Sequence, residues 1–240
     1  MSRTKQTVTI IVCLIVIAAG IFTLADPDAL IRYREDTNYE YTEENGSIVL
    51  TEYKGDYENI IVPSQIDSKP VKAIRGAFLN NQTVKNVKVS DGIEVIDYMA
   101  FYGCISLVKV KLPDSVKTIG HAAFLGCMSL EKIDIGSSVE EIMPFAFSDC
   151  TFLKNITLPQ GLLFIGENAF SRCRHLEDLT IPSSVEVIGG VTQEKGEGNT
   201  DQRGSTERTS FDGCERLKLK IADDNPWYAY EDGKIIKKVN

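Results

Sequence analysis

Histidine occurs twice in the 240 residues, tryptophan once, and a Cys-x-x-Cys pair not at all. No paired histidines, Ser–His–Asp set or closely spaced ligand cluster can be assembled from such a sequence, and no Gly-rich phosphate loop follows a strand-like segment. Excess positive charge is missing too. With 26 basic and 34 acidic residues, net charge −8 and pI near 4.9, the chain has no polycationic footprint for nucleic acid. Only one long apolar run is present, which excludes a multi-span membrane protein. The remaining composition is ordinary, with 43% hydrophobic and 25% charged residues, excluding a disordered chain or a collagen-like fibre. Six cysteines suggest either three disulfides in an exported protein or metal and redox chemistry in a cytosolic one.

The apolar run decides between those compartments. It extends from Val8 to Ala25, 18 residues without a charge, behind Arg3 and Lys5 and ahead of Asp26 and Asp28. As a helix it would be about 27 Å long, enough to cross a hydrocarbon core and longer than a usual secretory h-region. Small residues at Ala18 and Gly20, and again at Ala25, offer cleavage sites, but the length favours an uncleaved anchor. Either way the basic end stays inside and the rest is expected to be exported. Cys13 follows Val12 rather than a small residue, so lipidation is not expected there. All 34 acidic residues lie beyond Ala25 and two of the 26 basic ones before it, which gives the exported part net −10.

A strict repeat governs that part. Phe78, Phe101, Phe124, Phe147 and Phe170 stand 23 residues apart, each behind an alanine. Three residues on come Asn81, Cys104, Cys127, Cys150 and Cys173; six on, Val84, Leu107, Leu130, Leu153 and Leu176. Apolar residues recur nine and eleven on, as in Val110 and Leu112, with one polar residue between: a short strand of period two. Proline or a small residue ends it, and a second extended piece carries pairs such as Val116 and Ile119. Gly120, Gly166 and Gly189 follow the last isoleucine in three copies. No copy can bury its apolar face alone, whereas stacked copies share one continuous core.

The pattern Ala-Phe-x-x-Cys-x-x-Leu-x-x-Val-x-Leu-Pro-x-x-Val-x-x-Ile-Gly resembles the BspA-like leucine-rich repeats of bacterial and protozoan surface proteins. The resemblance covers about residues 57–222 and implies a right-handed solenoid of about six turns, mainly β with short turns and helical pieces. Tyr53-x-Gly55 and Ile60-Ile61-Val62-Pro63 resemble the family's N-terminal cap, with five extra residues before Ile74. Asn225-Pro226-Trp227-Tyr228 and the following residues resemble its closing hairpin. The expected division is a signal peptide or anchor over 1–25, a juxtamembrane linker over 26–40, a solenoid over 41–222 and a C-terminal cap over 223–240. Phe170 to Phe211 spans 41 residues, so a flexible polar insertion is expected at 190–209, after which the last repeat runs one residue short.

Five of the six cysteines, Cys214 included, belong to one column. Stacked positions lie about 4.7–4.9 Å apart with parallel Cβ vectors, unsuited to disulfides, so a ladder of buried free thiols with Asn81 at its head is expected. The same column makes the Asn81 sequon buried and unavailable, unlike those at Asn45 and Asn155.

Between the apolar strand positions the chain exposes Lys88, Lys111, Asp134, Thr157 and Thr180, flanked by Lys85, Lys109, Lys132 and Lys154. The ladder thus runs from basic to neutral and acidic. Lys85, Lys88, Lys109, Lys111 and Lys132 form a candidate site for an acidic segment of a partner; the plainer reading, which the pattern alone favours, is a solvated face that discourages association. His121 and His175 fall in different repeats and columns, where surface packing is the simpler role. The resulting expectation is a non-enzymatic, cofactor-free surface or secreted protein that binds proteins or mediates adhesion. The family's partners include host and matrix proteins. The alternative is a structural or accessory envelope protein that scaffolds another exported protein.

Overall fold

The computed structural model describes residues 38–189, 210–231 and 234–238. The membrane-length segment and the insertion expected at 190–209 lie outside the described residues. The chain opens with β1 (Tyr39–Glu44) and β2 (Ser47–Tyr53), an antiparallel hairpin turned by Asn45 and Gly46, both at positive φ. Such a two-residue turn matches the right-handed twist of its strands and favours Asn-Gly. Next come β3 (Asn59–Val62), β4 (Gln65–Ile66) and β5 (Lys69–Ile74). The five extra residues before Ile74 form the small β4–β5 hairpin, turned at Asp67 and Ser68. From there each repeat gives one strand of the period-two kind and one two-residue strand: β6 (Asn86–Val89) with β7 (Val95–Ile96), β8 (Lys109–Lys111) with β9 (Thr118–Ile119), β10 (Lys132–Asp134) with β11 (Glu141–Ile142). β12 (Phe164–Ile165), β13 (Asp178–Ile181), β14 (Val187–Ile188) and β15 (Lys218–Ile221) follow, and the hairpin β16 (Tyr228–Glu231) with β17 (Lys234–Lys237) ends the described chain.

Two ladders run along the coil. One joins β1, β2, β5, β7, β9, β11, β12 and β14, parallel from β2 onward. The other joins β3, β6, β8 and β10, continues through single bridges at Asn155, and ends on the β13–β15 pair. Register is one repeat per strand, so Val87, Val110 and Ile133 align. The short last repeat shows directly: Phe211 stacks on Phe170, 41 residues earlier, whereas Leu219 pairs with Leu179, 40 residues earlier.

The phenylalanines form the spine. Rings from Phe78 to Phe211 stack at centroid distances of 4.6, 5.1, 5.3, 5.3 and 5.6 Å, within 14° of parallel. Tyr53 and Tyr39 cover the first ring, at 5.0 and 6.1 Å. The alanine before each phenylalanine is small enough for backbones to meet: Phe101 N–H donates to Ala123 O (2.7 Å), Phe124 to Ala146 (2.8 Å) and Phe147 to Ala169 (2.7 Å).

Those bonds explain a correction. Helical pieces were expected around the Ala-Phe pairs, but among the described residues these stretches are successive turns, not α-helix. Residues two before and two after each phenylalanine take left-handed φ: Met99 and Gly103, Ala122 and Gly126, Phe145 and Asp149, Asn168 and Arg172. A left-handed residue interrupts a right-handed helix and costs a non-glycine about 1–2 kcal/mol. The cost is offset because the turn's N–H groups are thereby aimed at the next repeat rather than at their own.

One glycine column has a simple cause. A Cβ at Gly166 would run into the backbone of Met143 and Pro144 in the preceding repeat. Gly166→Ala is therefore expected to destabilise by about 1–3 kcal/mol, read as a lower urea midpoint.

The far end is closed by Asn225, 1% exposed. Its Nδ2 donates to Pro182 O (2.9 Å) and Val185 O (3.3 Å), and its Oδ1 accepts from Trp227 N and Tyr228 N, both 2.8 Å. Tyr228 Oη accepts from Ile188 N (3.0 Å), the bond another coil would otherwise make. Asn225→Ala leaves buried carbonyls without donors and should cost about 1–3 kcal/mol, with the C-terminal residues exchanging amide hydrogens first.

Candidate functional site

The cysteine column is structural. Each thiol donates to the backbone carbonyl of the phenylalanine one repeat back: Cys104 to Phe78 (2.9 Å), Cys127 to Phe101 (3.1 Å), Cys150 to Phe124 (3.2 Å), Cys173 to Phe147 (3.1 Å) and Cys214 to Phe170 (3.0 Å). All five are free thiols, and the first four are fully buried. Burial pushes the thiols of Cys127, Cys150 and Cys173 well up. Half-buried Cys214 shifts down, because the Cys173 thiol beside it favours its thiolate. Asn81 departs from expectation. It is half-exposed rather than buried, and its Oδ1 accepts from Thr83 N (3.0 Å) and Val84 N (2.9 Å). At the head of the column its side chain closes its own turn as an acceptor, as asparagine does in an Asx-turn.

Both histidines pack against rings. His121 stacks on Tyr98 at 5.7 Å and meets the edge of Phe145 at 5.6 Å. His175 stacks on Phe152 at 4.8 Å, with Nδ1 2.8 Å from Thr151 O. Among the described residues no group of three His, Cys, Asp or Glu side chains is placed to hold a metal.

The charged face over β3, β6, β8 and β10 has a different character. Two grooves, of about 550 and 340 Å³, share Ile61, Lys88 and Lys111. Asp91, Asp114 and Asp134 line the larger, Asn86 and Lys109 the smaller. Strand alternation creates this: Val87, Val110 and Ile133 point into the core, so Lys88, Lys111 and Asp134 must face out in one register row, with Asn86, Lys109 and Lys132 in the next. All five lysines singled out in the sequence are exposed, but they are not equivalent. Lys85 is taken by Glu58 at 2.7 Å and lines neither groove. Lys132 stands beside Lys109 in register. Among the described residues no carboxylate lies within 4.0 Å of Lys109, Lys111 or Lys132. On the other ladder Lys69 pairs with Glu43 (2.6 Å), Lys72 with Glu94 (2.6 Å), and Arg75 with Glu44 (2.8 Å) and Asp97 (2.7 Å). Asp114 accepts from Ser137 N (2.7 Å) and Ser137 Oγ (2.9 Å), which holds its carboxyl below the usual range.

The sequence pattern did not mark the aspartates as neighbours of the lysines. Asp91 and Asp114 read as scattered turn residues, and only the coil's register brings them to one groove. A second exposed surface also went unmarked: Leu79, Tyr98, Ile105, Met128 and Phe152, each 44–52% exposed, lie in the turns around the phenylalanine spine.

No helix of the described residues is long and apolar enough to cross a membrane. Among solved structures, the chain is similar to the leucine-rich repeat protein of T. pallidum, at 27% identity and TM-score 0.65, covering 78% of this chain and 79% of that one. It is also similar to a leucine-rich cell surface protein of Faecalibacterium prausnitzii A2-165, at 26% identity and TM-score 0.64, covering 84% of this chain but 57% of that one. A leucine-rich repeat protein of Bacteroides ovatus matches at 29% identity and TM-score 0.50, covering 77% of this chain and 39% of that one. The chain thus spans little more than half of the second neighbour and less of the third. A comparison with curated proteins gave no match. Six copies of the BspA type leucine rich repeat region match residues 72–192, half of the sequence, in the register of the phenylalanine spine. The chain belongs to the BspA-type leucine-rich repeat family.

Proposed function

We propose that this is an exported, non-enzymatic binding protein that contacts other proteins, host or matrix proteins among them, through the outward face of its second ladder. The observation that carries the reading is the division of labour within each repeat. The positions that recur are consumed by the core, whereas the outward positions of β6, β8 and β10 differ from copy to copy and line two grooves. In a solenoid such a face offers an extended contact surface without loosening the core. Export is supported by the apolar segment Val8–Ala25 and by likeness to a cell surface protein. That segment would serve as an anchor, or as a signal peptide removed after export, with 26–40 as a linker.

The test is direct binding. The full chain, immobilised in detergent, is expected to bind at least one extracellular or surface protein saturably, without consuming it. A chain that binds none of these, but co-purifies with one exported enzyme or secretion component, would establish the scaffold role instead.

A further inference from the structure

The lysine face carries a more specific partner chemistry, which rests on the binding role proposed above. Lys88 stands in register with Lys111, and Lys109 with Lys132. Adjacent strands lie about 4.7–4.9 Å apart, and alternate residues along one strand about 6.6 Å apart. Four exposed lysines therefore form a staggered block, with Lys109 and Lys111 on β8 at its centre and one more lysine on the strand to either side. The block's borders are already neutralised, Lys85 by Glu58 and Lys154 by Glu131. The central lysines 109 and 111, and Lys132, have no such carboxylate among the described residues. Their charge is unspent in a chain whose exported part is strongly acidic.

The surroundings say which anion fits. Asp91, Asp114 and Asp134 line the same groove as Lys88 and Lys111, and Asp134 is next to Lys111 in register. A uniform polyanion, such as duplex nucleic acid, carries one charge every few Å and would set several of them against these carboxylates. An extended peptide repeats its same-side residues every 6.6–6.8 Å or so, the spacing of Lys109 and Lys111, and can place uncharged or basic residues where the aspartates stand. Val89, Leu112 and Pro113 add apolar surface beneath it.

We propose that the β6–β8–β10 face receives an extended acidic peptide segment of a partner protein, its carboxylates on Lys88, Lys109, Lys111 and Lys132 and its non-acidic end towards Asp91 and Asp134. The probe is a fluorescein-labelled peptide of alternating Glu and Thr, titrated with the full chain at low salt and followed by fluorescence anisotropy. Saturable binding is expected, weakened about tenfold or more by Lys109→Glu/Lys111→Glu. Lys220→Glu, the same charge change on the same face at the far end of the ladder, is expected to stay within about twofold. A Gln-for-Glu version of the peptide should not bind. Melting temperatures of the variants are compared first, and Lys109→Gln/Lys111→Gln replaces the reversal if that one fails to fold. Unchanged affinity in the double variant, or no saturable binding of the peptide, overturns the proposal. So does a heparin fragment or DNA duplex that binds more tightly through the same lysines. Whole-protein capture that survives the double variant would remove this inference and leave the binding role standing; absence of any capture by the unaltered chain would remove that role itself.

Discussion

Phe124→Ala is expected to cost about 3–5 kcal/mol, a large part of the stability of a domain this size. The ring is fully buried and lies between Phe101 at 5.1 Å and Phe147 at 5.3 Å. Truncation opens a cavity in the middle of the spine and strips both neighbours of a stacking face. Each repeat touches only the next, so no distant contact compensates, and the solenoid should part at that junction. Urea unfolding followed by circular dichroism would then show a lower midpoint and a broader transition. Phe211→Ala is expected to cost less, because that ring is 8% exposed and Phe170 is its one partner in the stack. Equal losses at the two positions would contradict a spine that bears most of its load in the middle.

Alkaline pH should destabilise the fold steeply. The thiols of Cys127, Cys150 and Cys173 are held neutral by burial, so their folded pKa values lie above the ordinary value of 9.0. In the unfolded chain each ionises near that ordinary value. Their contribution is complete below about pH 9 and is lost as pH rises towards the folded values, because the unfolded state sheds protons that the native state keeps. Each thiol contributes a slope of about 1.4 kcal/mol per pH unit, so three together give about 4 kcal/mol per unit above pH 9. Urea midpoints measured in small steps from pH 8 to pH 10 would show it. Cys127→Ala/Cys150→Ala should remove about two-thirds of the slope while lowering the plateau below pH 9. Cys214 does not add to the effect, since its thiol shifts the other way. A stability unchanged between pH 8 and 10 would mean that the column is open to water.

The core was the most legible part of the chain. A solenoid demands the same side chain at the same place in every turn, so the Phe, Cys and Leu columns appear as a strict period. The closing segment at Asn225–Tyr228 was legible too, although the four hydrogen bonds of Asn225 depend on carbonyls 40 and more residues away. The turns were misread because Met99, Ala122 and Arg172 take a left-handed φ that their side chains do not advertise, whereas Asn80 and Gly103 do. The opening hairpin did carry its signal, Asn45-Gly46, but it lies outside the 23-residue period that dominated the pattern. On the candidate face, alternation alone exposed the right lysines. Which of them stay unpaired was not readable, because the partners of Lys85 and Lys154 sit 27 and 23 residues back, one coil away.

These features converge on a rigid coil that holds one charged face towards a partner. Lysine acetylation footprinting of the full chain, alone and saturated with a protein it captures, tests this most directly. Lys88, Lys109, Lys111 and Lys132 are expected to become protected, while Lys154, Lys218 and Lys220 keep their reactivity. Uniform reactivity, or protection confined to lysines outside the β6–β8–β10 face, would contradict it.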